Sequence, residues 1–192
     1  GWSQVEVDKR KRARGWTPVI DTEFSLTEFG GELDRYLEYY EQVKTILTEV
    51  EPLIPADRKD AFFAQIKYPV FGASAMSTKI LEAQRARALA AANYNEHRWT
   101  RDDELMKACA KSANAFQEIR RLTDYYNNEL AGGKWKHTMC FNPRYLYVFY
   151  APNLPIAPTD KEIAAYVTLK NKKSIPLPEA AKDSCVAFNA CD

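Results

Sequence analysis

The sequence has 192 residues, the length of one domain with an irregular extension. Apolar residues make up 46% of the chain and charged residues 28%, which is enough apolar side chain for a core and excludes a wholly disordered chain. The 27 basic and 26 acidic residues leave a formal net charge of +1. Such a balance excludes a long-range field that would attract nucleic acid or an anionic membrane, and no apolar run is long enough to span a bilayer.

Residues 1–24 are predicted to form an N-terminal helix or a lead-in to the main domain. The chain begins with Gly1 instead of methionine and runs directly into a charged stretch without a signal peptide. We therefore expect a module of a longer protein, and the missing signal carries no information about where that protein works. A basic cluster follows at Lys9, Arg10, Lys11, Arg12 and Arg14. It can be a localisation signal or a phosphate-contacting patch, but the solvated face of a short helix is the favoured interpretation.

The first long helix is predicted near residues 32–52. Gly30 and Gly31 precede it, and Pro52 and Pro55 close it, because proline cannot continue a helix. Its apolar residues recur at spacings of three and four, which is typical of one buried helix face. These residues are Leu33, Tyr36, Leu37, Tyr40, Val43, Leu47, Val50 and Ile54.

Two further helices are predicted near residues 56–67 and 70–93. The first has Phe62, Phe63 and Ile66 on one side. Pro69 is expected to kink or divide the helical stretch, because it lacks an N–H group and crowds the preceding turn. The apolar pattern then resumes in an alanine-rich run that contains Met76, Ile80, Leu81, Ala88 and Leu89.

The last long helix is predicted near residues 101–131. Thr100 can cap its start, and Asp102, Asp103 and Glu104 place negative charge at the positive end of the helix dipole. Gly132 and Gly133 end the helix. Its apolar seam consists of Leu105, Cys109, Phe116, Ile119, Leu122, Tyr126 and Leu130.

These elements predict an all-α fold, in which residues 25–133 form an antiparallel helical bundle. Residues 134–192 are expected to form an irregular, partly extended C-terminal tail that wraps the bundle or leads to a next domain. Within that tail, residues 144–150 favour a strand because they are rich in Tyr, Val and Phe. Frequent prolines break any longer element.

The sequence contains no recognisable catalytic, metal or cofactor motif. The four cysteines lie at positions 109, 140, 185 and 191, and the two histidines at 97 and 137, without zinc-ligand spacing. Cys185 and Cys191 are close enough in sequence to bridge, which leaves the redox compartment open. The acidic residues at the start of the last helix are explained by the helix dipole. We therefore expect no cofactor, no metal and no catalytic residue in this chain.

The most distinctive segment runs from Tyr125 to Met139 and contains Asn127-x-x-Leu-Ala-x-Gly-Lys-Trp135, followed by His137. It resembles the end of the helical region in glycoside hydrolase family 115. Three other stretches resemble the same family in the same order: Phe24–Thr27, Pro55–Phe63 and Tyr68–Val70. Together the four stretches cover about residues 18 to 155.

The resemblance implies a parent that is a multidomain xylan α-1,2-glucuronidase. Such enzymes remove glucuronic acid or its 4-O-methyl form from xylan by inversion, and their catalytic carboxylates lie on a barrel that precedes the helical region. That barrel is not in this sequence. The resemblance therefore implies a non-catalytic accessory domain of a secreted or periplasmic protein, with the barrel, a second copy of the chain or xylan-derived carbohydrate as partners. The alternative is a helical protein–protein interaction domain without glycosidase activity.

The sequence also departs from the family pattern. Where relatives continue Asp-Gln-Thr-His-Ile-Gly-Tyr after the His-Met segment, this chain reads Cys140-Phe141-Asn142-Pro143. The Gln and the second His are missing. The resemblance therefore implies a divergent member.

Trp135 and His137 are the candidate sugar-contacting or domain-seam residues. An indole face can stack on a pyranose ring, and an imidazole can hydrogen-bond to hydroxyl groups. The competing interpretation is a Trp packed on the end of the bundle, with the His satisfied by a backbone carbonyl. Our hypothesis at this stage is that Trp135 is structural and locks the C-terminal tail onto the bundle. The many tyrosines exceed what one core needs, so some are expected at an interface.

Overall fold

A computed structural model describes residues 24–95, 103–143 and 146–166. Within these ranges the chain forms five α-helices, short 3-10 and π turns and no β-strand, so the predicted all-α class is confirmed. The helices are α1 (Glu32–Val50), α2 (Lys59–Phe62), α3 (Tyr68–Asn95), α4 (Asp103–Asn128) and α5 (Asp160–Tyr166). The basic cluster, His97, Trp99, Thr100, Cys185 and Cys191 lie outside the described residues.

Helices α3 and α4 pack against each other in antiparallel orientation. At one end, the hydroxyl groups of Tyr68 and Thr123 lie 3.4 Å apart. At the other end, Ala86 packs with Leu105 in a fully buried cluster. Small residues dominate the contact, which lets the two backbones approach closely. The buried alanines are Ala75, Ala83, Ala86, Ala108, Ala110, Ala113 and Ala115.

Helix α1 crosses the other side of α3, also in antiparallel orientation. Asp34 near its start forms an ion pair with Arg85, and Glu51 just past its end forms one with Lys67 at 2.6 Å. Between them, the ammonium group of Lys44 lies 5.5 Å from the ring centroid of Phe71. The three long helices therefore alternate in direction, as the short connections predicted.

Pro69 does not divide the helical stretch that contains it. The chain is helical from Lys59 to Asn95, and a π-helical turn at Phe63–Lys67 immediately precedes the proline. A proline ring collides with the carbonyl four residues earlier in a regular α-helix. The wider π turn relieves this collision, since its hydrogen bonds reach one residue further. The predicted break is therefore a local change in hydrogen bonding.

The segment 146–166 lies along α3 and α4. Leu154 and Ile156 pack on the cluster around Ala86, and Ile163 of α5 packs between Ala110 and Ala113 of α4. The predicted strand at 144–150 is wrong at Tyr147–Phe149, which forms a 3-10 helix. Residues 24–95, 103–143 and 146–166 contain no strand with which this segment could pair, so its β propensity has no effect. Residues 144 and 145 lie outside the described part of the chain.

The residues of the predicted apolar face are buried in α4 but largely exposed or half-buried in α1. Six of the seven seam residues of α4 are buried, and the seventh, Ile119, is half-buried. In α1, only Leu33 is buried. Tyr36 and Val43, which were predicted on the buried face, are exposed. The reason is that α1 contacts the bundle on one side only, whereas α4 lies between α3 and α5.

Candidate functional site

The segment that carries the family resemblance begins where α4 ends. A 3-10 turn at Leu130–Gly133 follows the helix, and Ala131, Gly132 and Gly133 all have positive φ angles. A Cβ atom at Gly133 would lie 3.0 Å from the carbonyl oxygen of Asn128, so only glycine fits this position. The predicted glycine stop is therefore present, and it turns the chain into an exposed loop that continues to Phe141.

Asn127 holds this loop against the last turn of α4. Its side-chain Nδ2 donates to the carbonyl oxygen of Met139 at 2.9 Å, and its Oδ1 accepts from the backbone N–H of Met139 at 2.9 Å. The amide thus satisfies both polar groups of one backbone unit, as a neighbouring strand would. Asn127 closes a loop of twelve residues and fixes where the chain leaves the helix end.

The structure places Trp135 and His137 on the exposed part of this loop. The Trp135 side chain is 38% exposed, and the ammonium group of Lys134 lies 5.1 Å from the centroid of its ring. His137 is exposed and has a φ angle of 66°. The hypothesis that Trp135 locks the tail onto the bundle stays a prediction, because the larger part of its side chain is covered. Asn127 anchors the loop through its two hydrogen bonds, and a polar residue near a helix end gave no hydrophobic signal by which to find it.

Phe141, at the far end of the loop, is also exposed and lies beneath a cation. The guanidinium group of Arg120 in α4 is 5.2 Å from the centroid of the Phe141 ring. Each of the two exposed rings therefore carries a positively charged group on one face. Aromatic faces with cations beside them suit a ligand with both a sugar ring and a carboxylate.

Lys79 lies in the middle of α3 and is almost fully buried. Its ammonium group donates hydrogen bonds to the carbonyl oxygens of Val148 and Tyr150, the latter at 3.0 Å, and so fastens the C-terminal segment to the bundle. The cavity beside these residues has a volume of about 20 Å³, which is room for about one water molecule. A cavity of this size cannot hold a sugar, which indicates a structural role. A lysine within an apolar helix face was a signal that sequence reasoning overlooked.

Glu82 is the most deeply buried carboxylate of the bundle. It accepts hydrogen bonds from Arg85 at 3.1 Å and from Lys111 of α4 at 3.3 Å, and Arg85 also pairs with Asp34 of α1. Burial on its own would lower the pKa of Arg85, but the hydrogen bond with Asp34 and the charges of Glu82 and Asp34 raise it. The carboxylate therefore joins three helices through its ion pairs.

Two tyrosines have raised pKa values. For Tyr36, the hydrogen bond with Tyr40 raises the pKa most, followed by burial. For Tyr125, burial raises the pKa, and the negative charges of Asp60, Glu129 and Glu51 add to the effect. Both phenols are therefore neutral at physiological pH and act as hydrogen-bonding and packing groups.

An apolar stripe of partly or largely exposed residues runs along one side of α1. Residues of this stripe recur at alternating spacings of three and four, and the last residue lies in the 3-10 turn at Glu51–Leu53. Tyr39, Ile46 and Leu53 are 59%, 57% and 77% exposed. We call this surface the α1 stripe; it consists of Tyr36, Tyr39, Val43, Ile46, Val50 and Leu53.

Among the described residues, no three His, Cys, Asp or Glu side chains come together as a metal site. No helix in the same part of the chain has the length and apolarity to cross a bilayer. Comparison with protein-family models, with curated proteins and with solved structures gives no match. The resemblance to glycoside hydrolase family 115 therefore rests on the four sequence motifs.

Proposed function

We propose that this chain is a non-catalytic helical accessory domain of a glycoside hydrolase family 115-like protein. The implied parent activity is the release of glucuronic acid or 4-O-methylglucuronic acid from xylan. The observation that carries the proposal is the double hydrogen bond between Asn127 and Met139. Through this contact, the most specific motif fixes the loop at the end of α4. Residues that fix a loop in this way have a structural role, as expected in an accessory domain.

The electrostatics of the bundle also support a non-catalytic role. A glycosidase needs one carboxylic acid and one carboxylate that face each other across a cleft. The buried Glu82 instead has two cations within 3.3 Å. Both of its pairings lie inside the bundle and not across a cleft, so the arrangement differs from that of a glycosidase pair.

The exposed loop gives the domain a surface through which it can serve the parent. Trp135 and His137 are on that loop, with Lys134 against the indole ring. Our proposal keeps them as domain-seam or sugar-contacting residues, since exposed aromatic and cationic groups suit a uronic acid or a neighbouring barrel surface.

The first experiment tests catalysis and complementation together. The purified chain, incubated with aldouronic oligosaccharides, is expected to release no free uronic acid. Added to a family 115 enzyme truncated after its barrel, it is expected to bind and raise activity, and Asn127→Ala is expected to weaken the effect more than Asn128→Ala. Turnover by the isolated chain that one carboxylate substitution abolishes would contradict the proposal, as would a failure to bind the barrel.

A second function is favoured by the α1 stripe. Large exposed apolar residues in one row on a helix mark a surface that another protein covers. A helical protein–protein interaction domain without glycosidase activity would need such a surface and no barrel. Binding to the truncated enzyme discriminates the two functions, because the interaction domain has no reason to recognise a family 115 barrel.

A further inference from the structure

Residues 151–158, which we call the strap, cross α3 and α4 in an extended form. From residue 152 onwards, covered and exposed residues alternate along the strap. Such alternation is typical of an extended chain, in which successive side chains point to opposite sides. The exposed residues of the strap are Asn153, Pro155 and Ala157. The covered ones are Pro152, Leu154, Ile156 and Pro158.

Three prolines restrict the strap before it makes any contact with the bundle. They recur at every third position, at residues 152, 155 and 158. Each ring fixes its own φ at about −65° and disfavours the helical conformation in the residue before it. The prolines and their predecessors make up six of the eight residues of the strap. A peptide that is already stiff loses little conformational entropy on binding, so the strap has the properties of a preorganised ligand.

Side chains of α3 hold the strap and the residues before it by their main-chain carbonyl groups. The ammonium group of Lys79 donates to the carbonyl oxygens of Val148 and Tyr150. The guanidinium group of Arg87 donates to that of Asn153 at 3.2 Å. Among the described residues, no backbone–backbone hydrogen bond joins the strap to α3 or α4. The hydrogen bonds therefore recognise the path of a main chain, and another peptide of the same shape can accept them.

The groove beneath the strap has a floor of small residues. Leu154 and Ile156 pack on this floor, which leaves room for aliphatic side chains between two closely packed helices. A cavity of about 20 Å³ lies between Lys79 and Pro152, so the packing under the strap is incomplete at this point. The floor consists of Ala86, Ala108, Cys109, Ala110 and Ala113.

We propose that the groove between α3 and α4 is a binding site for an extended aliphatic peptide with regularly spaced prolines, and that the strap occupies this site within the same chain. The strap is then an intramolecular ligand that leaves the groove while the helices stay folded. A separate peptide competes poorly with it, because a tethered segment has an effective concentration of about a millimolar beside its site. The inference concerns peptide binding and does not depend on the glycosidase relationship.

The probe is a fluorescently labelled peptide with the sequence of residues 146–166, added to the full chain in an anisotropy titration. A Leu154→Asp/Ile156→Asp double variant is expected to release its own strap, because it places charge on the apolar floor. It should bind the probe peptide at least about tenfold more tightly than the wild type does. Equal affinities for the two proteins, or no binding by the folded double variant, would overturn the inference.

A second double variant, Asn153→Asp/Ala157→Asp, is the matched control. It adds the same two charges to the strap, but at positions that are exposed. The strap should therefore stay in the groove, and the control should bind the probe peptide as weakly as the wild type does. Tight binding by this control would mean that charge alone, and not release of the strap, causes the effect, which would contradict the proposal.

The groove side of the contact is tested by Lys79→Met in the Leu154→Asp/Ile156→Asp background. This change is expected to weaken binding of the probe peptide roughly tenfold, because two peptide carbonyl groups lose a charged donor. Lys107→Met, which removes a surface ammonium group of α4, is expected to have no effect. Undiminished binding after Lys79→Met would place the peptide elsewhere on the molecule and overturn the inference.

Cys109 of α4 reports opening of the strap in the wild type, without any substitution. Its thiol is buried in the cluster on which Leu154 and Ile156 pack. A small thiol reagent should begin to label Cys109 at urea concentrations below the midpoint of the circular-dichroism transition, as measured by mass spectrometry. In the Leu154→Asp/Ile156→Asp variant, excess probe peptide should slow this labelling. Labelling of the wild type that follows only global unfolding would show that the strap does not open separately and would refute the proposal.

Discussion

Helices α4 and α1 have similar apolar periodicity, but the two helices are covered by neighbouring elements to different extents. In α4, the seam residues are buried on one side by α3 and on the other by α5 and the C-terminal segment. In α1, only Leu33 is buried, and the neighbouring row of apolar residues is exposed. Apolar periodicity therefore predicts the buried side of a helix only when it is known how many neighbouring elements pack against that helix.

The small side chains between α3 and α4 explain why these two helices form a core by themselves. The contact between α3 and α4 is rich in alanine, so the helices approach closely and bury large residues such as Phe116 at the edges. Helix α1 carries tyrosines and β-branched residues where α3 and α4 carry alanines. Its attachments to the bundle include the buried Leu33, the ion pairs of Asp34 and Glu51, and the contact between Lys44 and Phe71. We expect its stability to respond more to charge and to partners than that of α3–α4.

The largest expected effect is the loss of a core side chain from α4. Phe116→Ala should lower the free energy of unfolding by about 3–5 kcal/mol, because the ring is buried and its removal leaves a cavity. Ile46→Ala in the α1 stripe should lower the free energy of unfolding by about 0.5 kcal/mol or less, because the side chain is largely exposed. Urea denaturation of both variants checks the contrast. Equal losses would mean that the two helices are buried to the same extent.

Lys79→Met should lower the free energy of unfolding by about 2–4 kcal/mol. Methionine keeps the volume, but the carbonyl groups of Val148 and Tyr150 lose a charged donor. Lys107→Met is the control, because Lys107 lies on the surface of α4 and its pairing with Glu104 at 3.9 Å is weak. Thermal unfolding measures both. A loss below about 0.5 kcal/mol for Lys79→Met would show that the C-terminal segment does not depend on this contact.

The loop at the end of α4 should respond to Asn127 more than to Trp135. Asn127→Ala should cost about 1–3 kcal/mol, because two hydrogen bonds to Met139 are lost, whereas Asn128→Ala should cost less than about 0.5 kcal/mol. Trp135→Ala should cost about 1 kcal/mol or less, since much of the ring is exposed. Chemical denaturation ranks the three variants. A larger loss for Trp135→Ala than for Asn127→Ala would return the anchoring role to the indole ring.

The smallest expected effect is a pH dependence at Tyr125, which lies near the junction between α1 and α2. Its pKa is raised in the folded protein by burial and by the charges of Asp60, Glu129 and Glu51. The folded state therefore favours the neutral phenol. This contribution is complete below the ordinary pKa of about 10 and is lost as the pH rises through the folded value. Denaturant midpoints measured at increasing alkaline pH should fall less steeply for Tyr125→Phe than for the wild type, and equal slopes would contradict this.

Much of the fold could be predicted because helix signals are local. The four predicted helices match the observed ones to within a few residues at most ends, and the glycine stop at 132–133 is in place. The effect of Pro69 could not be predicted, because it depends on how the preceding turn adjusts its hydrogen bonds. The prediction of a strand was wrong at residues 147–149 for a related reason. Strand propensity acts only where a partner strand exists, and sequence spacing gives no such information.

The candidate site was predicted less well than the fold. Trp135 and His137 do lie on one exposed loop, but the residue that fixes the loop is Asn127. An asparagine near a helix end could hydrogen-bond to the backbone of several nearby residues. Only the path of the chain shows that Asn127 bonds to the backbone of Met139. Lys79 was overlooked because a single lysine in an apolar face is usually solvated. Here the C-terminal segment passes over it and supplies two carbonyl groups.

Amide hydrogen exchange tests the contrast between α1 and α3–α4 most directly. Our account predicts strong protection of the α3 and α4 amides, because the residues of their contact are buried inside the bundle. Protection of the α1 amides should be weaker, because Leu33 is the one buried residue of that helix. Protection of the α1 amides that equals that of the α4 amides would contradict the account.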